Sequence, residues 1–134
     1  MMTSAEARLA INARIKSFIG INQDYIQWSN QADFEPPVDD MWCRVTIQYS
    51  PTITSGIHFG LLERDLGIIS IQCFAPKGWG DKDLIELADK WRNHFKGYVT
   101  SYLEITQTNA PTDVYSEVGT NYISIVVKIE FRVN

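Results

Sequence analysis

Residues 75–84 read APKGWGDKDL, with two glycines around a tryptophan between an apolar run and an amphipathic one. A glycine-rich turn that opens a helix is a place where phosphate binds, because backbone N–H groups and the helix N-terminus converge on negative charge. The common phosphate loop needs G-x-x-x-x-G-K-[ST]. Here Asp81, Lys82 and Asp83 follow Gly80, and Lys77 precedes the glycines. Two carboxylates at the helix start occupy the favourable field and repel phosphate. The dinucleotide pattern G-x-G-x-x-G also fails, for want of a third glycine. The stretch therefore reads as a tight strand-to-helix turn. Trp79 at its tip either folds back onto the helix or offers an exposed contact to a partner.

The remaining reactive side chains form no constellation. His58 and His94 are solitary, and neither lies near a serine or cysteine pattern that pairs a nucleophile with a base. His94 is expected on the polar side of its helix. Asp39 and Asp40 follow Pro36 and Pro37 and read as a solvated turn. Glu63, Arg64 and Asp65 read as mixed charges in a loop. Cys43 and Cys73 lie 30 positions apart, with no CxxC or Cys/His ligand spacing, so they predict two reduced core thiols rather than zinc. The residues predict no catalysis, no cofactor and no metal.

These side chains hang on a chain of 134 residues, read as one domain over 1–134. With 45% hydrophobic and 21% charged residues it can bury a core without disulfides or metal. The net charge of −4 and the lack of any lysine or arginine run give no footprint for nucleic acid. No apolar run is long enough to span a bilayer. The opening MMTSAEARLAINARIKSF has no signal-peptide centre, which predicts a soluble cytoplasmic chain.

Thr3 and Glu6 fit a capping box, and Ile11, Ile15 and Phe18 recur at helical spacing with Leu9 and Ala7 nearby, and Gly20 as a stop. Residues 21–41 lack periodicity. Their aromatics Tyr25, Trp28 and Phe34 are expected to pin a surface segment to the body, and Pro36 and Pro37 prevent helix there. WCRVTIQYS alternates, with Cys43, Val45, Ile47 and Tyr49 to one side. The turn-rich 50–66 stretch is either an extended hairpin arm or a mobile loop. IISIQCF is a second strand. Asp81 opens a second helix whose stripe is Leu84, Leu87, Ala88, Trp91 and Phe95, closed by Gly97. YVTSYLEITQ reads as a strand with Val99, Ser101, Leu103 and Ile105 on one face. NYISIVVKIEFRV reads as another, with Ile123, Ile125, Val127, Ile129, Phe131 and Val133 inward and Tyr122, Ser124, Lys128, Glu130 and Arg132 outward. Its length predicts pairing on both sides. The fold class is α+β: order α-β-β-α-β-β, a mostly antiparallel sheet of about four strands, two helices on one face and a long β–β loop.

Nearly the whole chain resembles the tail terminator (tail completion) proteins of long-tailed bacteriophages and prophages. The resemblance rests on the opening helix, the aromatic and proline segment WSNQADFEPP, the strand WCRVTIQYS, then ERDLGIISIQCFAPKGWG, the helix DLIELADKWRNHFKG and the closing YISIVVKIEFRV. The order "strand, F-A-P-x-G-x-G, helix ending at F-x-G" is its most recognisable part. It implies a virion structural protein without catalysis. Such proteins form a ring, typically a homo-hexamer, on the head-proximal end of the tail tube. The ring ends tube polymerisation and meets the head connector, and DNA passes through its lumen without specific binding. The implied partners are other copies of the chain, the tail tube protein and the connector or neck protein, with no membrane. Assembly would take place in the host cytoplasm. A head-completion or neck protein is the alternative. The resemblance fixes no interface residue. From the residues themselves, apolar side chains in the turn-rich 50–66 stretch suggest docking: His58, Phe59, Leu61, Leu62 and Arg64, with Trp79 and the 109–120 link second. The other reading tucks Phe59 and Leu62 beneath the loop's own strands.

Overall fold

The computed structural model describes residues 3–28, 31, 34–37, 39–49, 53–55, 62–78, 81–100, 102–112, 115–116 and 122–133. The elements are α1 (Ser4–Lys16), a 3-10 turn (Gln23–Tyr25), β1 (Ile26–Gln27), β2 (Trp42–Tyr49), β3 (Ile53–Ser55), β4 (Leu62–Pro76), α2 (Asp81–Phe95), β5 (Leu103–Thr108), β6 (Tyr115–Ser116) and β7 (Tyr122–Val133). The class is α+β. The sheet runs β1-β2-β4-β7-β5, with β3 paired to β4 and β6 to β7. The sheet therefore has three short strands beyond the four expected. One of them, β1, pairs parallel to β2, and the other pairings are antiparallel. Two-residue strands carry no alternation to read, so β1 and β6 leave no periodic trace.

Strand alternation sorts the side chains. Cys43, Val45 and Ile47 of β2, Ile69, Ile71 and Cys73 of β4, and Ile125, Val127, Ile129 and Phe131 of β7 form one buried cluster. The same cluster holds Ala7, Ile11 and Ile15 of α1 and Leu84, Leu87, Ala88, Trp91 and Phe95 of α2. Both helices thus cover one sheet face. β7 lies between β4 and β5, paired on both sides as its length requires. Gly67 of β4 faces this core beneath Phe131. A Cβ there would stand 2.4 Å from the Phe131 Cζ and 2.7 Å from the Gln48 carbonyl oxygen.

The helix signals work as expected. Thr3 caps α1, its hydroxyl accepting the Glu6 N–H at 3.1 Å. Gly97, at φ 75°, follows α2 in the left-handed region that glycine tolerates. Two local expectations need correction. α1 ends at Lys16 with Ser17 as its C-cap, before Gly20. Gly20 lies against the ring of Phe18, where a Cβ would come within 2.4 Å of the Phe18 Cζ. The strand expected from residue 98 begins at Leu103. Val99 makes only an isolated bridge to Glu104 and is 61% exposed, and Ser101 lies outside the described residues. A tight turn forms instead, with the Thr100 N–H donating to Leu103 O at 2.8 Å and the Ile105 N–H to Tyr98 O at 3.1 Å.

Among the described residues, the second sheet face carries no helix. Trp42, Phe74 and Ser124 form one cross-strand row on it, and all three are buried. Ser124, expected outward as a polar residue, is covered at this end. Trp42 stacks on Phe74 at 4.0 Å between ring centroids, and Phe34 and Tyr122 close around it at 5.4 and 5.6 Å. The Tyr122 hydroxyl reaches Pro37 O at 3.4 Å. The proline segment does pin an aromatic onto the body, and that is what buries this end. Farther along, the face is polar and half open, with Arg44, Thr46, Gln48, Ser70, Lys128 and Glu130. Arg132 pairs there with Glu104 across the β5–β7 register.

Candidate interaction surface

The residues singled out for docking divide into two groups. His58, Phe59, Leu61 and Trp79 lie outside the described residues. Leu62 and Arg64 fall in β4, where Ile53 pairs with Arg64 and Ser55 with Leu62. Of the two readings of the 50–66 stretch, the backbone pairing is that of a hairpin arm. The arm runs past the sheet: the β2 register ends at Tyr49–Gly67 and the β7 register at Asp65–Val133. Among the described residues, 62–64 pair with β3 alone. An isolated two-stranded ribbon is marginal in water and gains from a third surface. Of the 109–120 link, residues 109–112 lie along β7, with the Asn109 N–H on Lys128 O and the Thr112 N–H on Val126 O, both at 3.0 Å.

A second surface leaves no local pattern in the sequence. The C-termini of α1 and α2 meet in a reciprocal clasp. The Arg14 guanidinium donates to His94 O through Nε at 3.0 Å and Nη2 at 2.6 Å. In return His94 Nε2 donates to Arg14 O at 2.6 Å, with Ser17 Oγ 3.1 Å away. Carbonyls in the last turn of a helix lack intrahelical donors, so each side chain satisfies the other helix. Phe18 stacks on Trp91 at 3.7 Å and meets the His94 ring edge-on at 5.3 Å. Arg14 also lies over Tyr98 at 4.7 Å. His94 is therefore a half-buried tie between helices, not a residue of the polar side. Burial holds its pKa below the ordinary histidine value. The Arg14 charge lowers it further, against an opposing pull from the hydrogen bond to the Arg14 carbonyl.

Beside the clasp lies an open cleft of about 610 Å³, lined by Phe18, Ile19, Arg14, Lys90, Asn93 and His94. Ile19 is 97% exposed there. The pairing that reveals this site joins residues 80 positions apart, and no local pattern encodes it.

The two cysteines are buried partners across β2 and β4, with sulfurs 3.6 Å apart and no disulfide. The Trp91 indole N–H points at Cys43 Sγ at 3.4 Å. The hydrogen bond with Cys43, together with burial, pushes the Cys73 thiol well above its ordinary value, which disfavours the reactive thiolate. Among the described residues no group of three or more His, Cys, Asp or Glu side chains could hold a metal ion, and no helix is long and apolar enough to cross a membrane. Asp40 turns its carboxylate to the Met41 N–H at 2.8 Å, and Asp39 is exposed.

No protein-family model matches the chain, and no curated protein does. A solved structure whose name states no function superposes with a TM-score of 0.74 over 100% of this chain and 97% of its own, at 16% identity. At that identity the likeness carries the fold alone.

Proposed function

We propose that the chain is a virion structural subunit that caps the head-proximal end of a phage tail tube as a ring, most simply a homo-hexamer. It ends tube polymerisation and presents the surface that receives the head connector. The reading rests on the ordered sequence pattern through F-A-P-x-G-x-G and the helix after it. The β3–β4 arm supports it, since a ribbon that outruns its own sheet suits contact with an adjoining subunit. The chain acts by shape, without catalysis or cofactor. Its partners are its own copies, the tube protein and the connector. A head-completion role in the neck is the rival within the same setting, and the partner that co-purifies, tube or connector, separates the two.

Leu62→Asp is expected to leave a folded subunit that no longer caps. Tails assembled with this variant should be of abnormal length by electron microscopy. Normal-length tails would sink the assignment of the arm. The absence of any virion gene flanking the coding sequence would remove the phage setting altogether.

A further inference from the structure

The cleft at the helix C-termini has a counterpart on the opposite flank of the same helix. Asp81, Ile85 and Asp89 are spaced four residues apart on α2 and therefore form one stripe. Both aspartates are exposed, and Ile85 is 39% exposed between them. Arg92 shares this flank, and its Nε donates to Thr108 O of β5 at 3.1 Å, so the stripe borders the β5 side. His94 follows Ile85 by nine positions, about two and a half turns, and so points the other way, toward α1. One flank of α2 thus presents an isoleucine between two carboxylates. The other borders the cleft lined by the apolar Phe18 and Ile19 and by the cations Arg14 and Lys90.

We infer that these two flanks are the halves of one self-contact: the Asp81–Ile85–Asp89 stripe of one copy seats in the Phe18–Ile19 cleft of the next. The match is of charge and of hydrophobic centre together. Lys82 and Glu86, on the outer ridge of α2, oppose each other in sign, and the two carboxylates outnumber the one cation of the flank, Arg92, which is turned to Thr108 O. The two patches differ, so the contact is heterologous. Repeated, it gives a closed ring or an open filament, never a two-fold dimer. An exposed isoleucine such as Ile19 then gains the cover it lacks in a single copy. This inference deepens the ring reading by naming a neighbour contact separate from the β3–β4 arm, and it rests on that reading only for the claim that the assembly closes.

Charge reversal tests it on the isolated chain. Sedimentation velocity at low salt, up to about 1 mM protein, should show self-association of the unaltered chain. Lys90→Glu alone and Asp89→Lys alone should each weaken it by tenfold or more. An equimolar mixture of the two variants should recover it, because the acidic cleft of one now meets the basic stripe of the other. Circular dichroism of each variant checks that α2 is retained. Should a variant lose α2, Ile19→Asp, which lies outside both helices, takes its place and should abolish association. An unaltered chain that stays monomeric throughout, or a mixture no better than its components, overturns the inference. No phage component enters this assay. Association without capping would therefore remove the tail reading and leave the contact standing, and capping without association would do the reverse.

Discussion

Trp91 and Trp42 lie on opposite faces of one sheet and are buried by different devices. Trp91 belongs to the stripe of α2 on the helix-covered face, stacked on Phe18, with its indole N–H on Cys43. Trp42 is the strand neighbour of Cys43 but points the other way. It stacks on Phe74 under Phe34 and Tyr122, and its indole nitrogen is buried with no hydrogen-bond partner among the described residues. Arg44 lies over both rings of that stack, 5.6 Å from Trp42 and 5.2 Å from Phe74. One face is closed by two helices whose apolar stripes join one buried cluster with the strands. The other is closed at one end only, by a proline segment. Burial of similar extent therefore rests on different neighbours, and the two indoles should respond differently to change.

The largest effect belongs to the covered face. Trp91→Ala should destabilise the chain by about 3–5 kcal/mol, since it opens a cavity between α1, α2 and the Cys43–Cys73 row. Urea denaturation reads this as a lower midpoint with an unchanged slope. Trp42→Ala should cost less, because the covering segment is short and can settle onto Phe74. Equal losses at the two sites would break the distinction.

Replacement by phenylalanine sharpens the comparison. Trp91→Phe removes the donor to Cys43 along with some packing, and should cost about 1–2 kcal/mol. Trp42→Phe removes a donor that has no partner among the described residues. An unpaired buried donor costs about 1–3 kcal/mol, and its removal offsets the lost ring contact. Trp42→Phe should therefore lie near the unaltered stability, well above Trp91→Phe. A larger loss at Trp42 in the same denaturation series would refute the account of its indole.

The same contrast explains what the sequence discloses. The α2 stripe, the Thr3 cap, Gly97 and the inward sides of β2, β4 and β7 follow from periods of 3.6 and 2, so they are visible in a single chain. Trp42 and Ser124 occupy alternating positions that read as outward, and their burial depends on residues 34–37, which have no period. Strand β5 starts late because the Tyr98–Leu103 turn satisfies its own backbone. The candidate site was the least legible. The Arg14–His94 clasp and the cleft beside it join two helix ends that are distant in sequence, and the histidine has no unusual neighbours along the chain. A stripe such as Asp81–Ile85–Asp89 is visible in the sequence as an apolar residue on an otherwise charged flank. Its meaning needs the opposite flank, which only the fold supplies.

The smallest effect is the pH response of the clasp, the tie that sets Phe18 against Trp91. His94 titrates below the ordinary histidine value in the folded chain, because burial and the nearby Arg14 disfavour its charged form. The unfolded chain then binds more protons than the folded one in the window that begins near about pH 6.5 and extends downward to the folded value. Where the unfolded state binds more protons, stability rises with pH. Acidification from pH about 7 through about 6.5 should therefore lower the melting temperature, and this contribution should level off below the folded value. His94→Gln keeps an N–H donor for the Arg14 carbonyl but cannot take up a proton. Its melting temperature at neutral pH should stay close to that of the unaltered chain, and its slope between about pH 7 and 5.5 should be shallower, above the range where carboxylates begin to titrate. Parallel slopes for the two proteins would show that the imidazole carries no proton linkage, and that the clasp holds the helices together by geometry alone.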